Sequence, residues 1–161
     1  MEYIVKFWNW VTADGVAAFV TAAGLLYTIK SFNKQQKLIV FMDYTKRYQD
    51  ICLNFPENIN DPYFSFDELT DCDKERTLRY MRAYFDLCSE EYHLYLQKHI
   101  AKATWKEWES GIQFALSKTA FKDAWSKLEL DTIYYADFSS FVKDTIKTHN
   151  KLLKTDSVVD P

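Results

Sequence analysis

The run Gly15-Val-Ala-Ala-Phe-Val-Thr-Ala-Ala-Gly-Leu-Leu-Tyr-Thr-Ile29 carries no charge and no proline, and apart from two threonines it has no strongly polar group. Phe7-Trp8-Asn9-Trp10 stands before it, and Lys30, Lys34 and Lys37 follow. Tryptophans at one end and lysines at the other mark a membrane-crossing helix, because indole rings settle among the headgroups while ammonium groups stay in water. Fifteen helical residues rise about 22 Å, short of a hydrocarbon core of roughly 30 Å. Counting through Phe32 brings the rise to about 27 Å. Lys30 extends its stem to carry its charge to the headgroups, and slight bilayer thinning closes the remaining gap. Asp14 is suited to cap the helix start. The expected span is therefore 14–32.

Two alternatives compete with the anchor. A buried core helix accounts for shorter apolar runs. A cleaved signal peptide needs small residues at the cleavage point, whereas Tyr27-Thr-Ile-Lys30 ends this run. The flanks favour the anchor, and they also orient it. Only Lys6 and the amino terminus are basic before the run, against Lys30, Lys34, Lys37, Lys46 and Arg47 after it. Positive flanks stay in the cytoplasm, so the N-terminus is expected outside and the bulk of the chain inside. Residues 1–13, with Ile4, Val5, Phe7, Trp8 and Val11, have the spacing of a short helix lying in the outer interface.

Beyond the anchor about 120 residues remain, enough for one modest domain. From Leu38 onward 16 Lys and Arg stand against 21 Asp and Glu, a net charge of −5. That balance argues against general binding to nucleic acid. Cys52, Cys72 and Cys88 are odd in number and match neither a disulfide framework nor a zinc spacing, which fits a reducing cytoplasm. Three Gly and three Pro leave little for a turn-rich β architecture. The expected fold is all-α, with the transmembrane helix continuing into a small cytosolic helical bundle over 33–154 and a disordered tail over 155–161.

Helical spacing supports that organisation. Leu38, Phe41, Thr45, Tyr48 and Cys52 continue the anchor helix to about Leu53. Asn54 to Thr70 reads as a loop, with Phe64 and Phe66 folding back onto the core. Leu78, Met81, Phe85, Cys88, Tyr92 and Tyr95 form one stripe, and Tyr80, Tyr84, Leu87, Glu91 and Leu94 a second. Two stripes place this helix at the centre of a bundle. Three more helices follow, carrying Trp105, Trp108, Ile112 and Leu116, then Phe121, Ala124, Trp125 and Leu128, then Phe138, Phe141, Val142, Ile146 and Leu153. Thr104 and Asp137 are expected caps for two of them.

Candidate sites are few. Glu90-x-x-His93 has the ligand spacing of di-iron bundles, but neither His99 nor His149 has a Glu three residues earlier to complete such a site. With Glu91 it reads as a solvated charge cluster. Arg76, Arg79 and Arg82 recur every third residue, a pattern able to receive a phosphate-rich ligand. Glu75 four before Arg79 and Asp86 four after Arg82 offer ordinary intrahelical pairs instead. Trp105 and Trp108 lie three apart, as core packing or as a partner-binding hot spot. No phosphate loop, nucleophile elbow or Cys–His signature is present in the sequence.

The segment Arg79-Tyr-Met-Arg-Ala-Tyr-Phe-Asp-Leu-Cys-Ser-Glu-Glu-Tyr92, with His99-Ile100, Trp105-Lys-Glu-Trp108 and Gly111-Ile112, resembles a family of small bacterial proteins with an N-terminal membrane helix and a helical cytoplasmic domain. The resemblance covers most of the chain and implies architecture and location, with no activity or site residues to carry over.

The leading expectation is a membrane-anchored interaction or scaffold module at the cytoplasmic face, not an enzyme and without cofactor or metal. Lipid and either a protein partner or a second copy are its expected partners. Gly15, Ala18, Ala22 and Gly24 are small enough to let neighbouring anchors approach. The alternative is a ligand-gated effector that perturbs the membrane, for example in antiphage defence, with an anion at the arginines. A metal-dependent enzyme ranks third.

Overall fold

A computed structural model describes residues 1–9, 15–130 and 135–156. Among the described residues the chain is all-α, with helices α1 (Glu2–Asn9), α2 (Gly15–Cys52), α3 (Asp71–Leu96), α4 (Lys102–Ser117), α5 (Thr119–Lys127) and α6 (Ala136–Asp156). A 3₁₀ turn occupies Phe66–Glu68. The chain divides into two units, residues 1–40 and residues 41–161, with the division falling inside α2.

In the first unit, α1 is amphipathic. Ile4, Val5 and Trp8 fall on one side at helical spacing and Glu2 and Lys6 on the other. The first part of α2 is apolar on every side, and each residue from Gly15 to Lys30 is exposed. An all-round apolar helix normally lies in a protein core or in lipid; this one is long and apolar enough to cross a membrane, and none of its apolar window is buried among the described residues. Its two threonines are satisfied internally. The Thr21 hydroxyl donates to the Ala17 carbonyl at 2.8 Å and that of Thr28 to Gly24 at 2.9 Å, so neither presents an unpaired donor to an apolar surrounding. Trp10 and the expected cap Asp14 lie outside the described residues.

The second unit is built on α3, which packs against α4, α5 and α6. Both of its stripes are covered: Met81, Phe85 and Cys88 on one, Tyr84, Leu87 and Glu91 on the other. Thr70 caps its start, accepting from the Asp73 amide at 3.2 Å while donating to the Asp73 carboxylate at 2.8 Å. The core is largely aromatic. Phe85 meets Trp125 edge-on at 5.0 Å, and Trp125 meets Phe138 at 5.8 Å; such tilted pairs satisfy the ring quadrupoles. Phe64 and Phe66 fold back as expected, 5.1 Å apart and buried.

Several boundaries differ from the sequence reading. Helix α4 begins at Lys102 with Ala101 at the cap position, so Thr104 lies in its first turn. Asp137 is likewise in the first turn of α6, where its charge faces the positive helix end without capping it. Helix α6 runs to Asp156, two residues into the expected tail, and 157–161 lie outside the described residues. Just past the ends of α3 and α5, Lys98 (φ 61°) and Glu129 (φ 51°) adopt the left-handed conformation, a place usually given to glycine.

Candidate functional site

In the second unit, α2, α3 and α4 each present one face to a common cleft of about 420 Å³. Phe41, Thr45 and Tyr48 come from α2 and Tyr84, Cys88 and Glu91 from α3. Both sets repeat at i, i+4 and i+7, which places each on a single helical face. Helix α4 supplies Glu107, Trp108, Gly111 and Ile112. The Trp108 indole lies nearly parallel to Phe41 at 6.0 Å and also stacks on Tyr44 at 5.6 Å. Tyr48 and Tyr84 are 6.4 Å apart between ring centres.

Glu91 is the exceptional group. It is 6% exposed, and none of the described hydrogen bonds or ion pairs involves it. Burial pushes its carboxyl up to about 8, with the Glu90 charge adding to the rise and Arg47 opposing it. It is therefore largely protonated at neutral pH, unlike an ordinary carboxylate. Glu90, next in sequence, behaves in the opposite way. It accepts from Arg47 at 2.7 Å and from the Tyr44 hydroxyl at 3.1 Å, and the Arg47 contact holds its carboxyl below the usual value. The sequence reading of Glu90, Glu91 and His93 as one solvated cluster is thus corrected: Glu90 and His93 are exposed, whereas Glu91 turns inward.

The thiols and phenols of the cleft stay protonated. Burial, followed by the neighbouring Glu91 charge, pushes Cys88 well above the ordinary thiol value. Burial likewise raises Cys52 and, helped by its hydrogen bond with Cys52, brings Tyr48 up to about 12. Neither thiol is activated as a nucleophile, which requires a lowered pKa. Among the described residues no group of three or more His, Cys, Asp and Glu side chains is placed to hold a metal ion.

The residues singled out from sequence scatter. Arg76 pairs with Asp73 at 3.5 Å and Arg79 with Glu75 at 3.0 Å, all well exposed. The expected pair of Arg82 with Asp86 is not among the described ion pairs, and Asp86 accepts the Tyr135 hydroxyl. Trp105 and Trp108 serve different clusters. Trp105 is buried against Tyr95 and Tyr92 at 4.9 and 5.4 Å, so it is core, while Trp108 belongs to the cleft. Trp8, Ala18, Ala22, Lys30, Lys34 and Lys37 are exposed, as are Gly15 and Gly24, whose missing side chains would meet nothing within 4 Å. The sequence reading missed Glu91 as a site. Its signal was a carboxylate inside the apolar stripe of Tyr84, Leu87 and Leu94.

Gly111 sits in the middle of α4, and a Cβ there would also meet nothing within 4 Å. A mid-helix glycine costs about 0.5–1 kcal/mol relative to alanine. Gly111→Ala is expected to raise stability by that amount in thermal melts followed by circular dichroism; a loss would show that the cleft is narrower than described. Comparison with protein-family models, curated proteins and solved structures returns no match.

Proposed function

We propose that this chain is a single-pass membrane protein whose helical bundle acts as an interaction module, without catalysis, at the cytoplasmic face of a bacterial inner membrane. The observation that carries the reading is the apolar run of α2, exposed along its whole length. So large an uncovered apolar surface is not tolerated in water, and lipid is the solvent that its length fits. Lys30, Lys34 and Lys37 support a cytoplasmic C-terminal side. The amphipathic α1 supports an outer interfacial segment. The bundle holds a protein partner or a second copy, and the small residues of α2 suit close approach of anchors. The ligand-gated effector reading draws less support, since Arg76 and Arg79 are paired on their own helix.

Cys72 provides a native topology reporter. It is exposed, whereas Cys52 is half-buried and Cys88 buried. A membrane-impermeant maleimide is expected to label Cys72 in inverted vesicles and to leave it unlabelled in intact spheroplasts. Labelling from outside would reverse the proposed orientation. Crosslinking in native membranes followed by mass spectrometry tests the module itself, and recovery of neither a partner nor a dimer would defeat it.

A further inference from the structure

We propose that the cleft between α2, α3 and α4 binds a small organic ammonium compound, an apolar body bearing a protonated amine, with the cation seated on the Glu91 carboxylate. The inference does not depend on the membrane reading. Four rings, Phe41, Tyr48, Tyr84 and Trp108, line a space of about 420 Å³, a size suited to a small ligand. Aromatic rings attract cations through their negative faces. Glu91 and Glu107 line the cleft with carboxyls that complement a cation, and among the described residues no lysine or arginine lines it.

The polar groups around Glu91 are already committed. From α2, Arg47 is bound to Glu90, Tyr44 donates to Glu90, Thr45 donates to the Phe41 carbonyl at 2.8 Å, and Tyr48 stays a neutral phenol. From α3, Cys88 stays a neutral thiol, and Glu90 is paired with Arg47. From α4, Glu107 is exposed. No described hydrogen bond or ion pair involves Glu91, and no buried side-chain oxygen among the described residues is left without a partner, so the Glu91 carboxyl opens onto the cleft, where a ligand can meet it. An incoming ammonium uses it with gain: the carboxyl gives its proton to solvent and the resulting carboxylate is paired with the ligand. Where the free carboxyl is protonated, one proton is released for each cation bound.

That release makes the site pH-dependent. With the free carboxyl at about 8, most copies must lose a proton to bind below that value, so cation affinity rises with pH and levels off above it. Between about pH 6.5 and about pH 8.5 the gain is about 20-fold. An alkylamine stays protonated throughout, as a lysine does.

The test is isothermal titration of the full-length protein in detergent, with a micelle blank, using 4-phenylbutylamine against 4-phenylbutanol and 4-phenylbutyrate. Near pH 8.5 the amine is expected to bind at least tenfold more tightly than either analogue and to weaken about 20-fold near pH 6.5. Glu91→Gln is expected to remove both the preference and the pH dependence. Gly111→Leu, which fills the cleft without altering the carboxyl, is expected to remove binding while the far-ultraviolet spectrum is unchanged. Equal affinities for amine and alcohol, affinity that is flat with pH, or binding indifferent to Gly111→Leu would each overturn the proposal. So would the absence of saturable amine binding.

Discussion

Glu91→Gln is expected to stabilise the bundle strongly in alkali and only slightly in acid. The native carboxyl is at about 8, raised by burial from 4.5. Between those values the unfolded chain has released its proton while the folded chain retains it. The native state therefore binds more protons, and stability falls as pH rises through this window. Below about 4.5 both states are protonated and the cost vanishes; above about 8 the cost is fully present. The penalty is small near pH 5.5 and larger by about 3 kcal/mol near pH 8.5. Gln keeps the shape and cannot ionise. Its advantage over the parent chain should grow by about 3 kcal/mol between these conditions, read from urea unfolding of the full-length protein in detergent. A constant difference across pH would mean that Glu91 is solvated. The same carboxyl that costs stability is the group a bound cation would neutralise, so an amine ligand should narrow the gap at high pH.

Leu25→Asp combined with Leu26→Asp is expected to release the chain from membranes. Both positions lie near the middle of the apolar run, and both are exposed. On insertion scales a central Asp costs about 3 kcal/mol and a Leu gains about 0.5 kcal/mol. The pair thus loses about 7 kcal/mol, more than an isolated span of this length can offset. Alkaline carbonate extraction reads the result: the parent chain should remain in the pellet and the double variant should not. Leu38→Asp is the matched control, because Leu38 is equally exposed but lies beyond the lysines. Its partitioning should be unchanged. Retention of the double variant in the pellet would show that the run is not solvated by lipid.

The helices were legible wherever one face had to be buried. The 3- and 4-residue spacing through Met81, Phe85 and Cys88 and the aromatic clusters of α4 and α5 mark segments that repeat with the helix. Helix ends were less legible. Lys98 and Glu129 adopt the left-handed turn without glycine, so no local residue announced the stop, and Ala101 precedes α4 with no side chain able to cap it. The charged pairs were half legible. Arg79 found the partner four residues away on its own helix, whereas Asp86 was claimed by Tyr135 from 49 positions further along. Sequence spacing sees the first kind of competitor and not the second.

The all-α class of the described residues, the long apolar run of α2 and the central position of α3 follow from the sequence alone, because hydrophobic periodicity and uninterrupted apolar length are local properties of a chain. The inward turn of Glu91, the separation of Trp105 from Trp108 and the cleft lined by Phe41, Tyr84 and Trp108 were decided only when three helices distant in sequence came together. Burial, and with it the energy of a charge, belongs to that assembled environment and not to the residue.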